Sequence, residues 1–277
     1  MIKLNNADPK RTLHFARGAR ERCRLTSKIL SLRRLLGLVV FFALWETLPR
    51  LGAINANFLP PFTVVSAKFV DMFATGEMIR HIGISLRRSV VGLAIGFAFS
   101  IPAGLLIASF RRLEFYVDPL IQTFRQTSII ALMPVFILFF GIKEPSKYAI
   151  VFWGVWAPLL LNTISGVKGV DPMLIKAARS MGAGRFVVYT RVIFPSAFPT
   201  VVTGLRLAAT SSILVLTAAE MMGASSGLGY ILYDAQMKYQ IPKMYAVILM
   251  MSIIGVVLNY LLVLLEKHAT RWKPKQS

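Results

Sequence analysis

At 277 residues, the chain is 56% hydrophobic and only 16% charged, with a mean hydropathy of +0.63. Soluble domains run at about 45–50% apolar and about 25% charged residues, so an ordinary soluble fold is excluded. The formal net charge of +20 would suit nucleic acid, but the basic residues sit in short segments beside apolar stretches, as membrane orientation requires, and nucleic acid is not expected as a partner.

Residues 1–34 form a basic arm holding His14 and the single cysteine, Cys23. One thiol cannot close an internal disulfide, and His14, His81 and His268 lack metal-ligand spacing, so no metal site is expected. Crossing about 30 Å of hydrocarbon takes about 20 mostly apolar residues. Six such spans are expected, over about 35–50, 88–109, 119–141, 147–167, 197–221 and 244–265, which makes the fold all-α and polytopic. Glu46 and Pro49 interrupt the first span. A long arm precedes it and Ala53 and Ala56 are wrongly spaced for cleavage, which favours a retained anchor over a signal peptide. The stretch 51–87 reads as interfacial helices, with Val64, Val65, Phe69 and Phe73 at helical spacing and Gly76 as a stop.

In the second span, Gly92, Gly96, Ser100, Gly104 and Ala108 recur every four residues. That spacing makes a stripe of small residues along one helix face, which lets another helix approach closely. The stripe does not say whether the partner lies in this chain or in a second copy. Orientation follows from the short connections. Arg111, Arg112, the basic residues of 168–191 and Lys267, Arg271, Lys273 and Lys275 share one side, roughly eleven against four (Lys143, Lys147, Lys238, Lys243) on the other. Both termini are therefore expected in the cytoplasm.

The connection 168–196 carries the most information. Asp171 suits an N-cap and Pro172 the first helical position, where no amide donor is needed. Leu174, Ala177, Ala178 and Met181 then share a face, with Lys176 and Arg179 elsewhere on the surface. Gly182 and Gly184 interrupt the helix, a second short helix follows through Tyr189 to Ile193, and Pro195 and Pro199 mark entry to the fifth span. A short, bent, amphipathic projection of this kind suits insertion into a partner's groove.

This segment resembles the signature of the permease subunits of ATP-binding-cassette importers: Glu-Ala-Ala, three residues, Gly, nine residues, Ile, one residue, Leu-Pro. Here Lys176-Ala177-Ala178, Gly182, Val192 and Phe194-Pro195 keep the spacing, with Lys176 in place of the glutamate. Further text is similar to the nitrate, sulfonate and taurine branch. It includes Phe58-Leu59-Pro60-Pro61, Ser85-Leu86-Arg87-Arg88, Phe139-Phe140-Gly141-Ile142, Gly204-Leu205-Arg206 and Ala219-Glu220 through Gly229-Tyr230. Ser128 stands where that branch often has proline. The resemblance covers about residues 35–272. It implies the type I importer permease fold, a small anionic solute, and no catalytic or cofactor site in this chain, ATP being bound by a partner subunit. It also implies a second permease copy, two ATP-binding-cassette ATPase subunits, an extracytoplasmic solute-binding protein, surrounding lipid, and location in a bacterial inner membrane.

Domains are accordingly expected as the arm 1–34, a permease domain 35–267 with its coupling loop at 168–196, and a cytoplasmic tail 268–277. Arg125, Arg206 and Glu220 fall inside or near span ends, where each ionised group costs about 2.5–3.5 kcal/mol at mid-bilayer. Two readings stay open for them: a polar translocation pathway whose arginines favour an anion, or snorkelling and pairing at helix ends. Asn162, Ser165, Ser211, Ser212 and Asn259 are weaker pathway candidates. Gly223–Tyr230 lacks the lysine of a phosphate cradle and reads as an external turn or shallow re-entrant segment. The competing function is a self-sufficient secondary transporter, for which the expected matching halves are not evident. A membrane enzyme would need clustered acids, bases or ligands, and the scattered ones here do not cluster.

Overall fold

The computed structural model describes residues 36–269. The basic arm, with His14 and Cys23, and residues 270–277 of the tail lie outside the described residues. The chain divides into two compact units, one ending at Ser66 and one beginning at Ala67.

In the first unit, helix α1 (36–50) is followed by a turn and the start of α2 (Phe62–Ala74). Phe42 and Trp45 pack on the Phe62 ring at centroid distances of 4.7 and 5.6 Å. The Trp45 indole donates to the Pro60 carbonyl at 3.1 Å. Glu46, which interrupts the apolar run, accepts from the Thr63 amide and hydroxyl, each at 3.0 Å, and pairs with Arg50. An anion at a helix N-terminus is favourable, so the charge serves the start of α2.

The second unit centres on α6 (Glu144–Lys168). Against one face lies α3 (Glu77–Ser109), and against the other α9 (Phe194–Met221). The stripe on α3 meets α6. A Cβ added at Gly92 would fall 2.5 Å from Val151, one at Gly96 2.4 Å from Val155, and one at Gly104 2.8 Å from Thr163. Ser100 fits the same stripe by donating to the Trp156 carbonyl at 3.0 Å. On the other face a Cβ at Gly204 would lie 2.5 Å from Asn162, and one at Gly154 2.8 Å from Val215. Val151, Val155, Leu159 and Ala208 are wholly buried between these helices. The partner of the stripe is thus a helix of the same chain.

Two expected boundaries move. The second span begins at Glu77 rather than 88, so Arg80 and Arg87 belong, with Arg88, to a 33-residue helix instead of an interfacial stretch. Gly76 does separate α2 from α3, in the left-handed conformation at φ 73°. The expected third span is two helices, α4 (Arg111–Gln126) and α5 (Ile129–Phe140), bent by 96° at Thr127–Ser128. Thr127 and Ser128 are both extended. The Thr127 hydroxyl takes the Thr123 carbonyl at 3.3 Å, a side-chain bond that competes with the helical ladder.

After α6 come α7 (Pro172–Ser180), the single turn α8 (Arg185–Val188) and a π-helical turn (Tyr189–Ile193) leading into α9. The wide π turn sits just ahead of Pro195, which cannot donate to the ladder. Helices α10 (Leu228–Met237) and α11 (Ile241–Ala269) follow. Among the described residues, four helices are long and apolar enough to cross a membrane, and the bent pair makes five if counted as one span. The first expected span is represented by α1, which packs in the smaller unit.

Gly96→Val should force two helix backbones apart and lower stability by about 1–3 kcal/mol, as overpacking does. Gly83→Ala, on the same helix with nothing within 4 Å of its Cβ position, should not lower the unfolding temperature in nanodiscs.

Candidate functional site

The α7–α8 projection is built as its sequence requires. The Asp171 carboxylate accepts from the Met173 amide at 2.8 Å, capping α7, and Pro172 occupies the first turn. Gly182 stands at φ 80°, where a side chain would be strained, and Gly184 precedes α8 in extended conformation. Ala178 and Val188 are buried and fix the projection to the body. The Tyr189 hydroxyl donates to the Leu105 carbonyl at 3.1 Å, tying the π turn to the end of α3. Lys168 pairs with Glu114 of α4 at the projection's base. Of the residues read as one face, Ala178 alone turns inward. Leu174, Lys176, Ala177, Arg179 and Met181 are exposed, as is Pro195. Met181 is 82% exposed and Phe186 79%, so the tip presents large apolar side chains beside basic ones.

At the opposite end of α6 the polar residues converge. Glu220 of α9 is 1% exposed. Its carboxylate accepts from Arg88 Nη1 at 2.8 Å, the Ser85 hydroxyl at 2.8 Å and the Gly229 amide at 2.9 Å. Arg88, equally buried, makes a two-pronged contact with Glu144 at 2.5 and 2.9 Å and donates to the Ser226 carbonyl at 2.6 Å. The Ser85 hydroxyl also accepts from the Leu228 amide, and His81 Nδ1 accepts from the Gly227 amide, both at 2.9 Å. Glycine is required at the contact: Gly227 is at φ 114°, and a Cβ there would lie 2.2 Å from Glu220 Oε1. Lys147, also buried, donates to the carbonyls of Ile142, Lys143 and Gly223. The network pins the turn before α10 to α3, α6 and α9. Among the described residues no buried side-chain polar atom lacks a partner.

Sequence reasoning missed this network. Arg88 falls at the very edge of the expected second span, beside the interfacial stretch, and Lys147 counts as a charge of a short connection. The signal was present, because Arg88 lies four residues before Gly92, in register with the small-residue stripe, with Ser85 and His81 one and two turns earlier on that face.

The three intramembrane charges are separated by the fold. Glu220 belongs to the buried network. Arg206 pairs with Glu266 of α11 at 2.8 Å. Arg125 opens onto a cleft of about 540 Å³ that it shares with Asn162, Ser211, Trp153 and Leu207. Ser212 instead contacts the Ser89 hydroxyl at 2.7 Å between α9 and α3, and bridges helices. No group of three or more His, Cys, Asp or Glu could hold a metal among the described residues.

Long apolar helices packed through glycine, a broken span and an exposed amphipathic projection define a polytopic α-helical membrane protein. Residues 100–271 match the family described as binding-protein-dependent transport system inner membrane component. The chain is 33% identical over 234 residues to a Bacillus subtilis protein assigned as the aliphatic sulfonates transport permease SsuC, covering 84% of this chain and 85% of that one. It is 31% identical over 240 residues to the Escherichia coli taurine transport system permease protein TauC, covering 85% and 87%. In fold it is similar to the MetNI methionine ABC transporter in an inward-facing conformation, with a TM-score of 0.63, 20% identity, and 70% and 96% coverage. The chain belongs to the inner-membrane permeases of binding-protein-dependent ABC importers, which sets aside the self-sufficient secondary transporter.

Arg88→Met should leave the buried Glu220 carboxylate without its paired cation and cost about 3–5 kcal/mol. The double variant Arg88→Met, Glu220→Leu should recover most of that loss, because a buried pair replaced by apolar groups is often neutral. Thermal unfolding of both in nanodiscs measures the difference, and equal losses would contradict the network's electrostatic role.

Proposed function

We propose that this permease works as a homodimer that carries a small organic anion of the sulfonate or taurine kind across a bacterial inner membrane. Two ATP-binding-cassette subunits drive it, and a solute-binding protein delivers the cargo. The observation that carries this reading is the exposed apolar tip of the α7–α8 projection. Met181, 82% exposed, lies outside every helix long and apolar enough to cross a membrane, and Phe186, 79% exposed, stands at the very start of the one that continues into α9. Large apolar side chains on a capped, bent helix fit a groove in a partner protein.

The cytoplasmic side is assigned to the projection and to both chain ends by the excess of Lys and Arg there. Closing of the ATPases would then push on α7, and the π turn and α9 would transmit the motion into the spans, as a lever acting on packed helices. Lys176 replaces the family's glutamate at the edge of the contact, so shape rather than an acidic contact holds the joint. The cargo reading rests on the sulfonate and taurine relatives.

Gly182→Glu should leave membrane insertion intact, since its Cβ position is open. It should reduce co-purification with the ATPase and ATP-dependent uptake by about thirtyfold, the loss of one interface hot spot. Uptake at the native rate in proteoliposomes holding the ATPase and the binding protein would count against the docking role.

A further inference from the structure

A cation halfway through a membrane helix bundle requires a counter-charge or a polar path. Among the described residues, the buried and half-buried basic side chains of the other spans have theirs. Arg88 is held by Glu144 and Glu220, Arg206 by Glu266, Lys243 by Glu77, and Lys147 by three carbonyls. Arg125 makes no ion pair and no hydrogen bond among the described residues, and no carboxylate lines its cleft. The cleft's wall on α6, Trp153 to Asn162, occupies the middle of that 25-residue helix, and Ser211 and Val215 lie opposite on α9. Arg125 is placed there by the break at Thr127–Ser128, which turns the chain away just after it. Discontinuous helices at mid-depth are how membrane transporters free polar groups for a ligand.

The remaining surface is of another kind. Phe124, Trp153, Trp156, Leu161 and Leu207 supply an apolar and aromatic wall, with Thr127, Asn162 and Ser211 as the neutral polar groups. Asn162 donates to the Pro158 carbonyl at 2.8 Å, which holds its side chain along the wall. The volume of about 540 Å³ lies within the range of small-molecule sites, about 300–1,000 Å³.

We propose that this cleft is a binding site for an organic anion with a compact oxyanion head and an apolar body, Arg125 taking the head and the Trp153–Trp156 wall the body. The proposal rests on the permease reading and deepens it. A planar guanidinium presents parallel N–H donors that match two oxygens of one head group. The apolar wall selects a carbon-bearing anion over a bare inorganic one such as nitrate, which leaves the wall uncovered. Of the three intramembrane charges, Arg125 is the ligand contact. Arg206 and Glu220 are committed to other side chains.

The test is saturation-transfer NMR on the purified permease–ATPase complex in nanodiscs, with 1-butanesulfonate as ligand and empty nanodiscs as blank. Expected is a saturable signal on the butyl protons, absent with 1-butanol and not displaced by equimolar nitrate. Arg125→Gln should weaken the affinity about tenfold or more, the worth of a charge-assisted contact. Arg125→Lys should fall between, and Trp153→Ala should weaken binding with the head contact intact. Circular dichroism melting shows whether each variant is folded, and should one fail, the native complex and the other variant still decide. Overturning results are no saturable signal above the blank, an equal signal from 1-butanol, displacement by equimolar nitrate, or native affinity in folded Arg125→Gln. Since the complex is assembled first, failure to co-purify would count against the permease reading, and failure to bind within an assembled complex against the cleft.

Discussion

The ion pair between Arg88 and Glu220 joins parts of the chain more than a hundred residues apart, and the surrounding architecture depends on it. Neither group reaches water, and an unpaired charge in that position would be among the most destabilising features a protein can hold. Each is therefore saturated: the carboxylate by an arginine, a serine and a backbone amide, the guanidinium by two glutamates and a carbonyl. Because the partners come from α3, α6, α9 and the turn before α10, forming the pair sets where those elements meet.

The same meeting point explains the glycines. Lipid offers no hydrophobic drive between helices, so association comes from close packing and internal hydrogen bonds. Gly92, Gly96 and Gly104 bring α3 onto α6, and Gly154 and Gly204 bring α9 onto its other side. With these contacts so close, α6 becomes a rigid post. Space is left where α4 turns aside at Thr127–Ser128, and the cleft with Arg125 opens there.

Two regions stand apart from this tight centre and suit moving partners. The α7–α8 projection is anchored through Ala178, Val188 and Tyr189 but offers its tip to solvent. The cleft lies at mid-depth between helices that the projection continues through the π turn and α9. A displacement at the tip therefore has a continuous helical route to the wall of the cleft.

Hydrophobic runs of span length, the stripe repeating every four residues, and the Asp171-Pro172 cap were legible in the residues because each is a local pattern with a local cause. The spacing from Lys176 to Pro195 was equally legible, since a bent projection is specified by its own caps and glycines. The pairing of the stripe with α6 was not, because small residues permit close approach without naming the partner. Nor was the break at Thr127–Ser128, where mostly polar residues from Gln122 lead into an apolar run with no proline or glycine at the bend. The sorting of Arg125, Arg206 and Glu220 was out of reach for the same reason: three charges in apolar text look alike until distant partners are known. Composition and local spacing determined a many-spanning membrane protein with a bent amphipathic segment, and the family resemblance of that segment implied an importer permease. Only the tertiary structure decided which charge is buried in a lock, which is paired, and which faces open space, because those fates depend on contacts between residues far apart in the chain.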